Sequence, residues 1–500
     1  GMIEGILIGL TTALTFQNIL MVMVGCFFGT IIGMLPGLGP MTAIALMIPI
    51  TYGFDPATGL ILMAGVYYGA VFGGSTSSIL INAPGIPGTV ATSFDGYPMA
   101  QQGKAGKALA IAAYSSFAGG TIAAIFLLFA APSLSKVSLA FRSPDYFALM
   151  VLGLTAVSAF SARGQFLKAM MMAVLGLMLA SVGQDTLSDI PRFVFNNMNL
   201  SDGISFVLVV MATFAMSEAL MIILRGTDPS SAAKAISLTE LGSIKLDKDE
   251  TKKTLKTIPR SSIIGFIVGV LPGAGSTIAS FLAYGMERNF VNKEEKEKFG
   301  KGSVHGLAAP ETANNAACSG SFVPLLTLGI PGSGTTAVML GALLGFGIQP
   351  GPRLYMTNPE IFWSVIMSMY IGMVILLILN LPLIPYIARI LAVPRTFLIP
   401  MILFFSVTGI YLMSFNTFDI FLMIGIAIVA TGLRLYKFPM PPLILAFVLG
   451  GLMEENLRRS LLISDGSFSF LWDRPLTAII LVFTILIISW QSFLSFKQNK

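Results

Sequence analysis

Apolar residues fill this chain in long blocks, and polar residues are confined to the gaps between them. The runs "NILMVMVGCFFGTIIGML" (18–35), "ALAIAAYSSFAGGTIAAIFLLFA" (108–130) and "TAIILVFTILIISWQSFL" (477–494) contain no charged residue. At about 1.5 Å per residue each is long enough, as a helix, to cross a hydrocarbon layer of about 30 Å. The pattern predicts an all-α polytopic membrane protein with about ten to twelve transmembrane helices plus re-entrant or broken ones.

Two of the apolar blocks are interrupted in the same way. "GMLPGLGPMTAIA" (33–45) and "GVLPGAGSTIAS" (269–280) place Gly33, Leu35, Pro36, Gly37 and Gly39 in register with Gly269, Leu271, Pro272, Gly273 and Gly275. A second pair sets "PGIPGT" (84–89) against "LGIPGS" (328–333), and a weaker third sets "SPDYFALM" (143–150) against "VPRTFLIP" (393–400). The offset grows along the chain, and the charged insert "ERNFVNKEEKEKFGKG" from Glu287 accounts for the first increase. Preserved order with drifting offsets is the signature of an internal duplication.

Between Arg225 and Arg260 the hydropathy falls, and Arg225, Lys234, Lys245, Lys248, Lys252, Lys253, Lys256 and Arg260 outnumber the acids of that span. An excess of Lys and Arg predicts a cytoplasmic connector. The expected organisation is a first transmembrane repeat over 1–225, the polar connector over 226–260, a second repeat over 261–455, and a C-terminal segment with a final transmembrane helix over 456–500. The connector with Arg163 and Lys168 falls on the cytoplasmic side, whereas its counterpart "MSFNTFD" (413–419) has no Lys or Arg and is flanked by connectors that do, with Arg389 and Arg395 and with Arg434 and Lys437. That reversal predicts two inverted-topology repeats. Lys136, Arg142, Arg458 and Arg459 do not fit the pattern.

Composition agrees: 55% of the 500 residues are hydrophobic and 11% charged, against about 25% charged in soluble domains, and the mean hydropathy is +0.83. The net charge of +6 is scattered over connectors, which reads as an orientation signal and excludes a nucleic-acid surface. No cleavable leader is expected, because the first Lys or Arg is Lys104. Cys26 and Cys318 lie in apolar surroundings and read as small hydrophobes, so neither a disulfide nor a metal framework is expected.

A broken helix in hydrocarbon exposes peptide groups at several kcal/mol each, so paired breaks mark an internal site where protein or water satisfies them. Gly37, Gly39, Gly85, Gly273, Gly275, Ser276 and Gly332 are therefore candidate backbone contacts for substrate or ion. Beside the second pair of breaks lie Ser75, Thr76, Ser77, Ser78 and Asn82 in one half and Asn314, Asn315, Ser319, Ser321, Ser333, Thr335 and Thr336 in the other. Short hydroxyls and amides can hold a carboxylate or a Na⁺ at less cost than a buried charge. Taken singly, a membrane Ser or Thr is more often a back-bonding or packing residue, and the clustering carries the argument. Glu311, in "AAPETANNA", is the candidate for ion coupling, the alternative being an acid at a helix start after Pro310. Glu218 is a second buried acid. His305 is expected to be solvated or interfacial, Tyr67 and Tyr68 to pack, and the insert at 287–301 to be a solvated connector. The expected cofactor set is empty apart from Na⁺ or H⁺ as coupling ion. "PGAGST" lacks the Lys of a phosphate-binding loop, and one histidine with few membrane acids leaves no enzyme site.

The stretch from "GMLPGLGPMTAIA" through "YYGAVFGGSTSSILINAPGIPGT" to "QQGKAGKAL" (33–109), together with "APETANNAACSGSFVPLLTLGIPGSGTTAVMLGALLGFGIQPGP" (309–352), closely resembles the large membrane subunit of tripartite tricarboxylate transporters, the TctA family. "FPMPPLILAFVLGGLMEENLRRSLLISDGS" (438–467) is similar to that family's C-terminal region. The resemblance implies an ion-gradient-driven secondary transporter of the bacterial inner membrane, taking up tricarboxylates such as citrate or related carboxylates. It also implies two partners, a small TctB-like membrane subunit and a periplasmic TctC-like solute-binding protein, and it places the substrate and ion site in the polar clusters. One departure is local: Pro40 follows the first turn where Ser276 follows the second, so an N–H is missing from one copy. An anion channel, or a carrier that works without a binding protein, is the alternative.

Overall fold

The computed structural model describes residues 1–35, 38–161, 164–226, 241–273 and 275–498. Pro36, Gly37, Arg163 and Lys234 lie outside the described residues. In the first half the principal helices are α1 (Met2–Ala13), α2 (Phe16–Met34), α3 (Gly39–Thr51), α4 (Pro56–Ile81), α5 (Val90–Gln101), α6 (Ala105–Ser138), α7 (Ser143–Ser161) and α8 (Phe166–Ala180), followed by α9 (Phe206–Arg225). The second half contributes α10 (Lys248–Val270), α11 (Gly275–Phe290), α12 (Val304–Leu328), α13 (Gly334–Gly345), α14 (Pro359–Asn380), α15 (Leu398–Ser414), α16 (Thr417–Leu435), α17 (Pro441–Ile463) and α18 (Pro475–Gln498). Among the described residues, seven helices (α2, α4, α6, α9, α14, α16 and α18) are long and apolar enough to span a membrane, and α1, α3, α7, α8, α13 and α15 are shorter apolar helices. The chain is an all-α polytopic membrane protein.

Small residues set how closely the central helices approach. On α2, Gly25, Gly29 and Gly33 recur at four-residue spacing, and a Cβ on any of them would run into the carbonyls of Leu62, Val66 and Ala70 on α4. Gly265 and Gly269 of α10 meet the Ala313 and Ala317 carbonyls of α12 in the same way. Backbone contact at this range replaces the hydrophobic drive that lipid cannot supply, since helix association in a bilayer relies on van der Waals packing at small-residue stripes. The charged start of α10 is held by a capping box, in which Asp247 accepts from the Glu250 N–H at 2.8 Å and Glu250 accepts from the Asp247 N–H at 3.1 Å.

The two halves end their helices alike. Leu35 N–H donates to Ile32 O at 3.1 Å where α2 stops, and Leu271 N–H donates to Val268 O at 3.2 Å where α10 stops. Gly39 and Gly275, which open the following helices, both have positive φ, at 74° and 63°. α4 and α12 each close on a left-handed residue, Asn82 (φ 52°) and Gly329 (φ 70°). The matched motifs are not superposable throughout, however. Gly85 follows the left-handed Asn82 by three residues, whereas its motif partner Gly329 is itself the left-handed cap.

Between α8 and α9 a short antiparallel hairpin pairs Gly183–Gln184 with Pro191–Arg192. It is tied to the polar end of α17, with Arg458 bound to Asp185 at 2.8 Å and to Glu454 at 2.8 Å, and Arg192 bound to Glu454 at 2.9 Å.

Two expectations are corrected here. His305 is buried at 5% exposure, not solvated, and its Nδ1 lies 2.8 Å from Thr257 Oγ1 and 3.2 Å from Glu287 Oε1. Most of the insert at 287–301 is exposed as expected, but its first residue, Glu287, is buried at 1% exposure and also pairs with Arg260. The cause is packing: α11 folds back on α10 against the start of α12, which turns Glu287 inward, and a buried acid needs the basic and hydroxyl partners that α10 and α12 bring.

Candidate functional site

The four chain breaks meet. Gly273 N–H donates to Gly332 O at 2.6 Å, joining both breaks of the second half. In the first half Gly85 packs so tightly on the Gly33 carbonyl that no side chain could fit there. Contacts between halves are reciprocal: a Cβ on Gly88 would stand 2.6 Å from Ser276 Oγ, and one on Gly334 would stand 2.8 Å from the Met41 methyl. Each half's first break thus touches the other half's second.

Around this meeting point lies a cavity of about 880 Å³, within the range of small-molecule sites. Four helices begin on its wall: α3 at Gly39, Pro40 and Met41; α5 after Gly88; α11 at Gly275, Ser276 and Thr277; and α13 at Ser333, Gly334 and Thr335. A helix start presents unpaired N–H groups and a partial positive charge, so four of them facing one space favour an anion. Tyr67, Pro84, Gly85, Ile86 and Gly273 complete the inner wall.

Among the remaining, largely apolar lining residues stand four charged ones, Glu218, Arg225, Arg434 and Lys437. Phe214, Glu218, Met221 and Arg225 form one stripe of α9, and Gln165, Arg434 and Lys437 line the same cavity. A π-turn at Met211–Met216 contains Phe214, the first residue of this stripe; such insertions rotate the helix face that follows and recur at functional sites. Arg434 Nη2 binds Glu218 Oε2 at 2.6 Å, and its Nη1 donates to Ser217 Oγ at 2.9 Å.

Behind the inner wall Glu311 is fully buried on α12. Its Oε1 accepts from the Thr92 hydroxyl and from Asn314 Nδ2 at 3.2 Å, and its Oε2 accepts from Ser116 Oγ at 2.8 Å. Asn314 Nδ2 also reaches Gly88 O at 3.0 Å, which links this acid to the cavity rim. Asn315 Nδ2 donates to Asn314 Oδ1 at 2.7 Å, while its own Oδ1 is buried without a protein partner. The carboxylate pairs with no Lys or Arg among the described residues.

Of the residues expected at the site, Gly39, Gly85, Gly273, Gly275, Ser276, Ser333 and Thr335 line the cavity. Gly37 lies outside the described residues. Gly332 stands just behind Gly273, and Thr336 is engaged in the Ser333 cap. Asn314, Asn315 and Glu311 form the second layer described above. Ser75 and Ser77 bond back to the carbonyls of Phe72 and Gly74, Ser78 bonds both to Gly74 O and to Thr89 O at 2.9 Å, and Thr76 is buried with them. Ser321 bonds to Cys318 O, and Ser319 Oγ lies 2.7 Å from Tyr68 Oη and donates to Gly120 O at 3.0 Å. Asn82 is exposed as the α4 cap. Arg225, Arg434, Lys437 and Gln165 were not foreseen as site residues. The one signal for them was the basic connectors, read only as markers of orientation.

Helix starts and cations gathered around one cavity inside an apolar bundle define a multi-pass membrane transport protein. The chain belongs to the tripartite tricarboxylate transporter TctA family, which its residues 19–445 match. It is 43% identical over 480 residues, covering 96% of this chain and 94% of the relative, to an uncharacterized 52.8 kDa protein in the TAR-I ttuC′ 3′ region of Agrobacterium vitis. A second relative, an uncharacterized protein in the TAR-II ttuC′ 3′ region of the same organism, is 43% identical over 217 residues, covering 43% of this chain and 89% of its own. No solved structure matches. Family membership makes the chain a transport component rather than an enzyme, and the family implies association with TctB and TctC subunits.

Proposed function

We propose that the chain is the large permease subunit of a binding-protein-dependent system of the bacterial inner membrane. It takes up an organic carboxylate, citrate-like or related, driven by a Na⁺ or H⁺ gradient. The observation that carries this reading is the convergence of four helix starts on one cavity. Dipole ends and free N–H groups bind carboxylate oxygens without burying a full charge, as in carriers built from broken helices. Reciprocal contacts between the breaks support an inverted pair of repeats whose relative movement alternates access.

Glu311 is the proposed coupling acid. A fully buried carboxylate with hydroxyl and amide donors but no basic partner is costly unless a proton or cation joins it, and the unpartnered Asn315 Oδ1 nearby is an oxygen such a cation could use. The link through Asn314 to Gly88 gives ion occupancy a route to the substrate wall. The cavity stripe on α9 runs from Phe214 in mid-helix to Arg225 at its end, about 16 Å at the helical rise. It therefore ends where the chain enters the connector with the Lys and Arg excess, which supports a cavity mouth on the cytoplasmic side.

The test is uptake of radiolabelled citrate, succinate and acetate into proteoliposomes holding this chain and its small membrane subunit, with and without the soluble binding protein and with Na⁺ and pH gradients set separately. Accumulation that requires both a gradient and the binding protein is expected. Rapid flux indifferent to either would show a channel or an independent carrier instead.

A further inference from the structure

The outer half of the cavity holds three cations, Arg225, Arg434 and Lys437, and one acid, Glu218. None of them belongs to the chain breaks. Arg434 spends one N–H on Glu218, at 2.6 Å, and one on Ser217, at 2.9 Å. A guanidinium has five N–H groups, so three remain for other acceptors, and Arg434 is still partly exposed at 25% of its side chain. Ser217 is itself fixed, because its hydroxyl donates to the Thr213 carbonyl inside the π-turn. Arg434 is thus positioned from one side by a rigid hydroxyl and from the other by a carboxylate facing the same cavity.

We infer that Arg434, with Lys437 and Arg225, forms a second carboxylate subsite, and that Glu218 is its resident counter-ion, displaced when a substrate carboxylate arrives. The inference rests on the carboxylate-transport reading above. Its basis is charge and geometry: the charged lining residues have an excess of cation over anion, and the Glu218 carboxylate already holds, through Arg434 Nη2, a guanidinium N–H that a ligand carboxylate would take. A polycarboxylate can then rest one group on the helix starts at Ser276 and Thr335 and another on Arg434. A monocarboxylate satisfies only one end. Glu218 keeps the empty site from holding Arg434 unpaired and at the same time competes with the ligand, which lowers affinity on the cytoplasmic side where release must occur.

The experiment is equilibrium binding of citrate, succinate and acetate to the detergent-purified full chain, by calorimetry, in wild type, Arg434→Gln, Arg434→Lys, Lys437→Gln and Glu218→Gln. Arg434→Gln is expected to weaken citrate about tenfold or more while changing acetate less than about twofold, with Arg434→Lys between them. Glu218→Gln is expected to tighten citrate by about threefold or more, because the competitor loses its charge. A merely structural ion pair predicts otherwise: removing either partner would damage binding alike for all three anions. Equal weakening in Arg434→Gln and Glu218→Gln, or unchanged citrate affinity in Arg434→Gln, overturns the subsite and leaves the carboxylate reading standing. Should Arg434→Gln fail to fold, unchanged citrate binding in both Lys437→Gln and Glu218→Gln overturns it equally. Wild-type protein that binds none of the three anions removes the carboxylate reading and the subsite together.

Discussion

Asn314 donates its side-chain amide to the carbonyl of Gly88 at 3.0 Å, across from one half of the chain to the other, and to Glu311 one turn back at 3.2 Å. The amide is fully buried, so Asn314→Ala leaves both oxygens short of a donor at a cost of about 1–3 kcal/mol. Part of that cost is expected to appear as citrate affinity weakened by about fivefold or more, because Gly88 borders the cavity. Ser77→Ala is the contrast. Its hydroxyl bonds only to Gly74 O, three residues back at 3.1 Å, and its loss should change citrate binding by less than about twofold. Calorimetric titration of both variants checks the pair, and equal effects would argue against a route from Glu311 to the rim.

Glu311→Gln keeps the size of the side chain and removes the charge. The hydroxyls of Thr92 and Ser116 can rotate to accept as well as donate, so the variant should fold, with a melting temperature in detergent within a few degrees of wild type. Uptake should lose its response to the driving gradient. The measurement is initial citrate uptake in proteoliposomes with Na⁺ and pH varied independently. A dependence on both that matches wild type would reduce Glu311 to a packing residue.

Close helix approach makes a third prediction. A methyl on Gly33 or Gly269 would collide with backbone atoms of Ala70 or Ala317, and backbone cannot step aside as a side-chain end can. Gly33→Ala and Gly269→Ala should each lower stability by about 1–3 kcal/mol. Gly432 has no atom within 4 Å of the place an added methyl would take, and it should accept Ala within about 0.5 kcal/mol. Thermal unfolding of the three variants in one detergent decides it, and equal melting points would mean the glycine stripes do not set the packing.

The parts of this structure legible in the sequence were those written locally. Pro-Gly interruptions such as Leu271–Gly275 show in the spacing itself, because few residues besides Gly adopt positive φ and Pro cannot continue a hydrogen-bonded helix. Their convergence was predictable from pairing, since peptide groups freed in hydrocarbon must share a polar interior. The cationic wall was hidden for the opposite reason. Arg434 and Glu218 are 216 positions apart, and each looks ordinary in its own helix end; only the meeting of α9 with α16 makes them a pair. The serines of α4 divide between two roles. Ser75 and Ser77 bond to carbonyls three residues back, as a helix interior allows, whereas Ser78 also donates to Thr89 O at 2.9 Å, beside the break at 86–89, a contact that no local pattern announces. His305 and Glu287 were judged by the charged residues beside them in sequence, whereas burial depends on how α10, α11 and α12 fold together.

The hairpin between α8 and α9 supplies the last prediction. Asp185 accepts from both terminal nitrogens of Arg458, at 2.8 and 3.1 Å, from the Leu187 N–H at 3.2 Å and from Ser188 Oγ at 2.8 Å. Arg458, first among these, holds the Asp185 carboxyl well below the usual carboxylate range. A depressed folded-state value means the clamp contributes fully above the unfolded pKa of about 3.9 and is lost only as pH falls through the lower folded one. Hydrogen exchange over residues 183–203 should therefore be equally protected at neutral and mildly acidic pH, after correction for the intrinsic rate. Asp185→Asn should raise exchange at both, because an amide cannot reproduce the charge-assisted fork. Wild-type protection that falls away while Asp185 is still ionised would place the hold on this hairpin elsewhere, in the Arg192–Glu454 pair.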